Sequence, residues 1–179
     1  MVGKFLFLGV AVAAVASLFV VVLSAGGGPA VAQDAAAVNL GKSVWVNKVP
    51  CKDCHGWSGN GLPDDPQAPR GANLRETQLD AAQLAETILC GRPTTEMPYF
   101  DARAYEDDRC FGMTRAQLGT QAPGQGSVTL TKREADALAA FIVATFVGKP
   151  PPTREECVAF WGANGTRCRE YAPAAGAGR

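Results

Sequence analysis

Two cysteines and one histidine are the residues of this 179-residue chain whose spacing most specifically suggests chemistry. They form the run Cys51-Lys52-Asp53-Cys54-His55, which contains the only histidine in the sequence. Two thiols at C-x-x-C spacing can add to the two vinyl groups of one haem, and a histidine that follows directly then lies beneath the iron as an axial ligand. The motif therefore predicts one haem c, held covalently by Cys51 and Cys54, with His55 on the iron.

Three other chemistries use the same residue types. A thioredoxin-like redox pair lies between a strand and a helix, whereas here a helical pattern precedes the motif and Gly56 follows it directly. A zinc site needs two further ligands, which only the remaining cysteines could supply. A Cys51–Cys54 disulfide would leave the one histidine without a role. Haem attachment is the interpretation that uses all three side chains.

A haem iron can take a second axial ligand, and methionine is the residue type available for it. Apart from Met1, the chain contains Met97 and Met113. A thioether ligand stabilises ferrous iron and raises the reduction potential relative to a second histidine. The common alternative role of a methionine is to fill a gap in an apolar core.

The first 32 residues have the order of a secretory signal peptide. Lys4 is followed by an apolar run over residues 5–23, and Ala30-Val31-Ala32 forms an A-x-A cleavage site. We expect cleavage after Ala32 and a mature protein in the periplasm. The apolar run is also about long enough to cross a bilayer, so an uncleaved membrane anchor is the alternative.

Four cysteines remain after haem attachment, namely Cys90, Cys110, Cys157 and Cys168. An even number in an exported chain favours disulfides over free thiols, and four cysteines allow three connectivities. Proximity in sequence favours Cys90–Cys110 and Cys157–Cys168, and the first pair would contribute about 3 kcal/mol if unstrained. A second metal site is the alternative, but it would lack histidine and a second C-x-x-C motif.

The charge composition argues against one class of partner. The chain has 17 basic and 17 acidic residues, and its formal net charge is zero at pH 7. A uniform positive field that would attract DNA or RNA is therefore absent, and we expect no nucleic-acid partner.

The elements that must position these residues are predicted to be helical. Helix starts are indicated by capping residues, and helix ends by glycine and proline. The predicted helical segments are 38–46, one from Asp80 to Gly91, a turn led by Thr114, one from Thr131 to Gly148, and 154–161. Residues 56–73 and 92–128 are rich in turn-forming residues and are predicted to be largely loops. No strand pattern of useful length and no internal repeat is found.

From Asn39 to Val147 the sequence resembles a class I c-type cytochrome. The shared features are a first helix with Gly41 and Trp45, the Cys51/Cys54/His55 site, the segment Gly71-Ala72-Asn73-Leu74, a middle helix, a loop with Met97, and a last helix. The resemblance implies an all-α fold around one haem. It also implies that the first helix crosses the last one closely at Gly41, beside an aromatic residue for which Phe141 is the candidate.

The resemblance also bears on the ligands of the iron. Pro98 follows Met97 as in the family's ligand loop, which implies Met97 as the sixth ligand. Family members usually have a proline whose carbonyl accepts a hydrogen bond from the haem-ligating histidine. Here that position is Ala72, with Pro69 nearby, so the carbonyl that orients His55 is left open.

Three arginines lie in segments that the family topology brings near the haem edge. Arg70, Arg75 and Arg92 are therefore candidates for pairing with the haem propionates. Each of them could equally be a solvated loop arginine.

The composition and the resemblance together predict the domain organisation, with two departures from the family. The expected parts are a signal peptide at 1–32, a flexible lead at 33–37, a cytochrome domain at 38–148, a C-terminal extension at 149–171, and a disordered tail at 172–179. Family loops reach the last helix soon after the methionine, whereas here about 30 residues, 101–130, are inserted. The insertion and the extension are the two departures.

The function implied by the resemblance is that of an electron carrier and not an enzyme. Its partners would be redox proteins: a dehydrogenase or quinol-oxidising complex as donor, and a terminal acceptor. One alternative is a dedicated cytochrome subunit of a periplasmic enzyme, for instance a quinoprotein dehydrogenase, or of a respiratory complex. Another is a ligand-binding or catalytic haem protein, which requires an open position on the iron.

Overall fold

A computed structural model describes residues 34–163 and 165–171 of the chain. Within these residues the fold is helical, with two isolated backbone bridges and no longer strand, so the all-α prediction is confirmed for this part. The helices are α1 (Ala35–Ser43), α2 (Cys51–His55), α3 (Ala81–Cys90), α4 (Arg115–Leu118), α5 (Lys132–Thr145) and α6 (Arg154–Trp161). None of the helices in these two ranges is long and apolar enough to cross a bilayer. The predicted signal peptide and the predicted tail after residue 171 lie outside the described residues.

Four of the helices begin at the residues that the sequence predicts. In each case the side chain of the capping residue accepts a hydrogen bond from the backbone N–H of the third helical residue. The side chain of that third residue accepts one in return from the backbone N–H of the capping residue. These capping boxes are Asp80/Gln83, Thr114/Gln117, Thr131/Glu134 and Thr153/Glu156. Because capping is a local interaction, the sequence alone was sufficient to place these starts.

Residues 34–37 differ from the expected flexible lead, because α1 begins at Ala35. The carboxylate of Asp34 accepts a hydrogen bond from the N–H of Ala36 at 3.0 Å and so caps the helix. Alanine, which fills the next three positions, has the highest helix propensity of all residues. At its other end α1 continues into a π-helical turn over Val44–Lys48.

The main core forms where α1 crosses α5. A Cβ atom built on Gly41 would lie 2.0 Å from the carbonyl oxygen of Ala137 and 2.7 Å from the Cβ of Phe141. Only glycine therefore permits this approach of the two helices. The ring of Trp45, which is 1% exposed, packs at 6.1 Å from the ring of Phe141 and 5.1 Å from that of Phe146.

Two disulfides hold the two segments that depart from the family pattern. Cys90–Cys110 joins the end of α3 to the inserted segment, and Cys157–Cys168 joins α6 to a 3-10 turn over Thr166–Glu170. These are the two pairs favoured by proximity in sequence. Each disulfide is buried and is the centre of a small apolar cluster separate from the main core.

Candidate functional site

One cavity brings together the residues that the sequence predicts as haem ligands. Its volume is about 450 Å³, which lies within the range of about 300–1000 Å³ that is usual for cofactor sites. Cys51, Cys54, His55 and Met97 all contribute to its lining. The remaining lining comes mainly from residues 69–72 on the histidine side and from the loop around Met97.

The helix α2 places the two cysteines and the histidine on one side. The helix consists of little more than one turn, and residues three and four positions apart in a helix share a face. Gly56 ends α2 with a φ of 74°, and a Cβ atom there would lie 2.3 Å from the carbonyl oxygen of Leu62. This turn lets the chain fold back, so that the N–H of Gly71 donates to the carbonyl of Cys54 at 2.8 Å.

His55 is oriented by the segment that folds back beneath it. Its Nδ1 lies 2.8 Å from the carbonyl oxygen of Ala72. A carbonyl can only accept, so Nδ1 carries the hydrogen and the lone pair of the ring lies on Nε2, the tautomer that binds a metal through Nε2. Of the two carbonyls left open by the sequence, the structure uses that of Ala72, while Pro69 contributes to the cavity wall. Burial lowers the pKa of His55, against the opposing effect of the Ala72 hydrogen bond, and this favours the neutral ligand form.

Both thiols of the motif are free and protonated. Burial is the main cause that raises the pKa of Cys51, to about 12. Burial also raises the pKa of Cys54, and the nearby carboxylates of Asp53 and Glu96 add to this effect. Redox-active cysteines have the opposite property, a lowered pKa. The environment therefore does not favour a thioredoxin-like pair.

The remaining cysteines are not available as ligands for zinc at this motif, because they form the two disulfides. Among residues 34–163 and 165–171, no group of three or more His, Cys, Asp or Glu side chains could hold a metal ion. A zinc site needs at least three such ligands. The donors at the cavity instead fit haem c, since they comprise two thiols at the attachment spacing, an imidazole and a thioether.

The loop that carries Met97 is a tight turn. The N–H of Arg92 donates to the carbonyl of Met97 at 3.1 Å, and the N–H of Met97 donates to the hydroxyl of Thr95 at 3.2 Å. Gly91, with a φ of 64°, opens the turn, and a Cβ atom there would lie 2.7 Å from the Met97 carbonyl oxygen. The alternative ligand, Met113, lies within the inserted segment and is not part of the cavity wall.

The three candidate arginines separate into two groups. Arg70 and Arg92 line the cavity, as the family resemblance implies. Arg75 does not line it: its guanidinium donates to the carbonyls of Ser58, at 2.9 Å, and Pro150, and pairs with Glu156 at 3.0 Å. It is only 6% exposed, so the structure gives Arg75 a bracing role and not the expected propionate contact.

Two parts of the site were not identified from the sequence. Phe100, which is 5% exposed, forms part of the cavity wall, and Gly71 packs against the ring of His55. A signal for Phe100 was the apolar run that follows Met97. Gly71 belongs to the segment Gly71-Ala72-Asn73-Leu74 on which the resemblance rests, but its contact with the histidine arises only when the chain folds back.

No protein-family model, curated protein or solved structure matches this chain.

Proposed function

We propose that this chain is a monohaem class I c-type cytochrome that carries single electrons. Cys51 and Cys54 hold the haem covalently, and His55 and Met97 ligate its iron. The observation that carries the proposal is the composition of one cavity. Two free thiols, a histidine whose Nδ1 is engaged by a carbonyl, and a methionine contribute to the same wall.

Covalent attachment is the task of the two thiols. Each thiol adds across one vinyl group, so that its sulfur bonds one vinyl carbon and its hydrogen ends on the other. The addition needs no oxidant and releases no leaving group. Cys51 and Cys54 lie on the same side of α2 as His55, so attachment and ligation can occur at one haem.

The bound haem supplies one-electron chemistry at its iron. The hydrogen bond to Ala72 fixes the ring plane of His55 and makes the imidazole a stronger ligand. The thioether of Met97 stabilises the ferrous state. If the same two side chains stay bound in both oxidation states, little of the chain has to rearrange when an electron arrives or leaves.

These ligands favour a carrier over an enzyme. Two protein ligands leave no position on the iron for a substrate, and the sequence has no histidine besides His55 to act as a general base. The partners would be a redox protein that donates the electron, such as a dehydrogenase or a quinol-oxidising complex, and a terminal acceptor. Both would meet the carrier in the periplasm, an oxidising compartment that also suits the two disulfides.

The proposal is tested by the mass of the chain after expression in a host that matures c-type cytochromes. We expect the denatured protein to carry the mass of one haem. The double variant Cys51→Ser/Cys54→Ser should lose its haem on denaturation. The variant Cys157→Ser/Cys168→Ser is the matched control and should retain it, because those cysteines lie outside the cavity wall. A wild-type chain that matures without covalent haem would contradict the proposal.

A further inference from the structure

We infer that the inserted residues 101–130, here called the clamp, hold Met97 on the iron by fixing the ligand loop, residues 91–100. Tyr99 is the positioning residue through which the clamp acts. This inference depends on the proposed function, because it assumes that Met97 is the sixth ligand.

The clamp is hydrogen-bonded to the ligand loop on both sides of Met97. Before the methionine, the N–H of Thr94 donates to the carbonyl of Gln121 at 3.0 Å. After it, the N–H of Tyr99 donates to the carbonyl of Gly124 at 2.9 Å, and the carbonyl of Tyr99 accepts from the N–H of Gly126 at 2.8 Å. The stretch that carries Met97 is therefore tied to the clamp at both ends.

The side chain of Tyr99 is also held by the clamp. Its ring stands edge-on to the ring of Tyr105 at 6.2 Å, and the guanidinium of Arg115 lies 5.5 Å from its centre. Tyr105 is 2% exposed and belongs to the apolar cluster around Cys90–Cys110. Tyr99 lies two residues after Met97, and the clamp holds both its backbone and its ring.

The clamp further supports the cavity wall behind the methionine. Gly126 lies against the ring of Phe100, so closely that a Cβ atom at Gly126 would be 2.4 Å from Cε1 of that ring. The carbonyl of Phe100 accepts a hydrogen bond from the N–H of Leu130 at 2.8 Å. Phe100 is part of the cavity wall, so a shift of the clamp would move a side chain that lines the cavity.

One disulfide anchors the clamp, and the other offers a control. Cys90, the last residue of α3, directly precedes the ligand loop and is bonded to Cys110 within the clamp. The clamp and the loop therefore start from the same fixed point. Cys157–Cys168 lies in a different cluster, which includes Trp57 and contains no residue of the ligand loop.

The functional consequence concerns how often Met97 leaves the iron. A loop that is free to open lets its ligand dissociate, whereas a loop held at both ends opens more rarely because the clamp must open with it. The clamp would therefore keep the iron closed to small ligands and keep Met97 bound as the pH rises.

The test uses the haem-loaded protein and two readouts. Both report on the bond between Met97 and the iron, so a general loss of stability would not affect the clamp variants more than the control variants. The readouts are the rate at which carbon monoxide binds to the reduced form, and the pH at which the absorption band of the methionine–ferric-iron bond disappears. For Tyr99→Ala we expect carbon monoxide to bind at least about tenfold faster, and the band to disappear at a lower pH. A tenfold change corresponds to about 1.4 kcal/mol in the opening equilibrium.

Companion variants distinguish loss of the clamp's hold on the ligand loop from a general loss of stability. Tyr99→Phe keeps the ring and should stay within about twofold of wild type. Arg115→Ala alters an exposed side chain, so it should fold normally and show a smaller increase than Tyr99→Ala. Cys90→Ser/Cys110→Ser should bind carbon monoxide faster than Cys157→Ser/Cys168→Ser.

The possible outcomes distinguish the inference from the proposed function. If Met97→Ala binds carbon monoxide rapidly but Tyr99→Ala and Cys90→Ser/Cys110→Ser behave as wild type, the clamp is wrong and the ligand assignment stands. Equal acceleration by both disulfide variants also overturns the clamp. If the wild type binds carbon monoxide as fast as Met97→Ala does, the assignment of Met97 as a ligand is wrong. The inference about the clamp is then wrong as well.

Discussion

His55 owes its orientation to two neighbours that have no ligating side chain of their own. Ala72 contributes only its carbonyl oxygen, 2.8 Å from Nδ1, and Gly71 contributes the space that its missing side chain leaves beneath the ring. A hydrogen bond of this kind fixes which nitrogen carries the proton and where the ring points. Residues 71 and 72 therefore act through the backbone, where Ala72 offers a carbonyl and Gly71 leaves space for the ring.

Gly71→Ala should displace the imidazole. The new Cβ atom would lie 2.6 Å from Nδ1 of His55, and the ring can escape only by giving up the bond to Ala72. We expect a lower yield of haem-loaded protein and a changed ferric spectrum, together with a loss of about 1–3 kcal/mol in the free energy of unfolding. Gly124→Ala is the matched control, since a Cβ atom there has no neighbour within 4 Å. If both variants show the wild-type spectrum, Gly71 does not support the histidine.

At the scale of elements, the crossing of α1 and α5 and the links between segments decide where the cavity forms. The ion pair between Lys48 and Glu134, at 2.5 Å, connects the end of the π-helical turn to the first turn of α5. On the other side, Arg75 connects the loop after the motif to the chain beyond α5 and to α6. Each link joins segments that are distant in sequence.

Gly41→Ala should destabilise the protein by pushing α1 away from α5. Alanine has the higher helix propensity by about 1 kcal/mol, which would stabilise α1. The new Cβ atom would, however, lie 2.0 Å from the backbone oxygen of Ala137, which cannot rotate away. We expect a net loss of about 1–2 kcal/mol in the free energy of unfolding, measured by denaturant titration, because overpacking costs up to about 3 kcal/mol and helix propensity offsets about 1 kcal/mol of it. A stability equal to wild type would mean that the helices do not cross as described.

The Lys48–Glu134 pair makes a prediction about acid stability. The pKa of Glu134 is lowered to about 2, mainly because its carboxylate accepts a hydrogen bond from Lys48. A hydrogen bond from the N–H of Thr131 adds to this effect. A carboxylate whose pKa is lower in the folded than in the unfolded state, where it is about 4.3, stabilises the fold above pH 4.3. That contribution is lost as the pH falls towards 2. Because the pair is partly exposed, we expect about 1 kcal/mol at most.

The variant Glu134→Gln measures this contribution. At pH 7 it should be less stable than wild type, and the difference should shrink between pH 4.3 and pH 2, as followed by denaturant unfolding at each pH. A difference that is constant over this range would show that the charge on Glu134 is not its source.

At the scale of the whole molecule, the two segments that depart from the family pattern contact different loops of the chain. The clamp supports the wall that carries Met97. The C-terminal extension contacts the loop that follows the motif: the indole N–H of Trp57 donates to the hydroxyl of Tyr171 at 3.1 Å, and Arg167 lies 3.4 Å from Asp64. Neither Trp57 nor Asp64 lines the cavity.

The sequence predicted the parts of this fold that depend on neighbours in the chain. Capping residues such as Thr131 and Asp80 specify helix starts locally, and the spacing of Cys51, Cys54 and His55 brings their side chains to one cavity. The role of Arg75 and the pairing of residues 121–126 with the ligand loop could not be predicted, because these contacts join segments that are brought together only by folding. The start of α1 at Ala35 differs from the prediction, because an alanine run after Asp34 has the same sequence pattern as a flexible lead.

The most direct test of the central claim is the visible spectrum of both oxidation states, with and without carbon monoxide, in wild type, Met97→Ala and Met113→Ala. We predict that the wild type and Met113→Ala show a closed iron that binds carbon monoxide slowly or not at all. Met97→Ala should lose the methionine–ferric-iron band and bind carbon monoxide rapidly. A wild-type protein that binds carbon monoxide as readily as Met97→Ala would contradict the account, because its iron would be open and the chain would not be the proposed electron carrier.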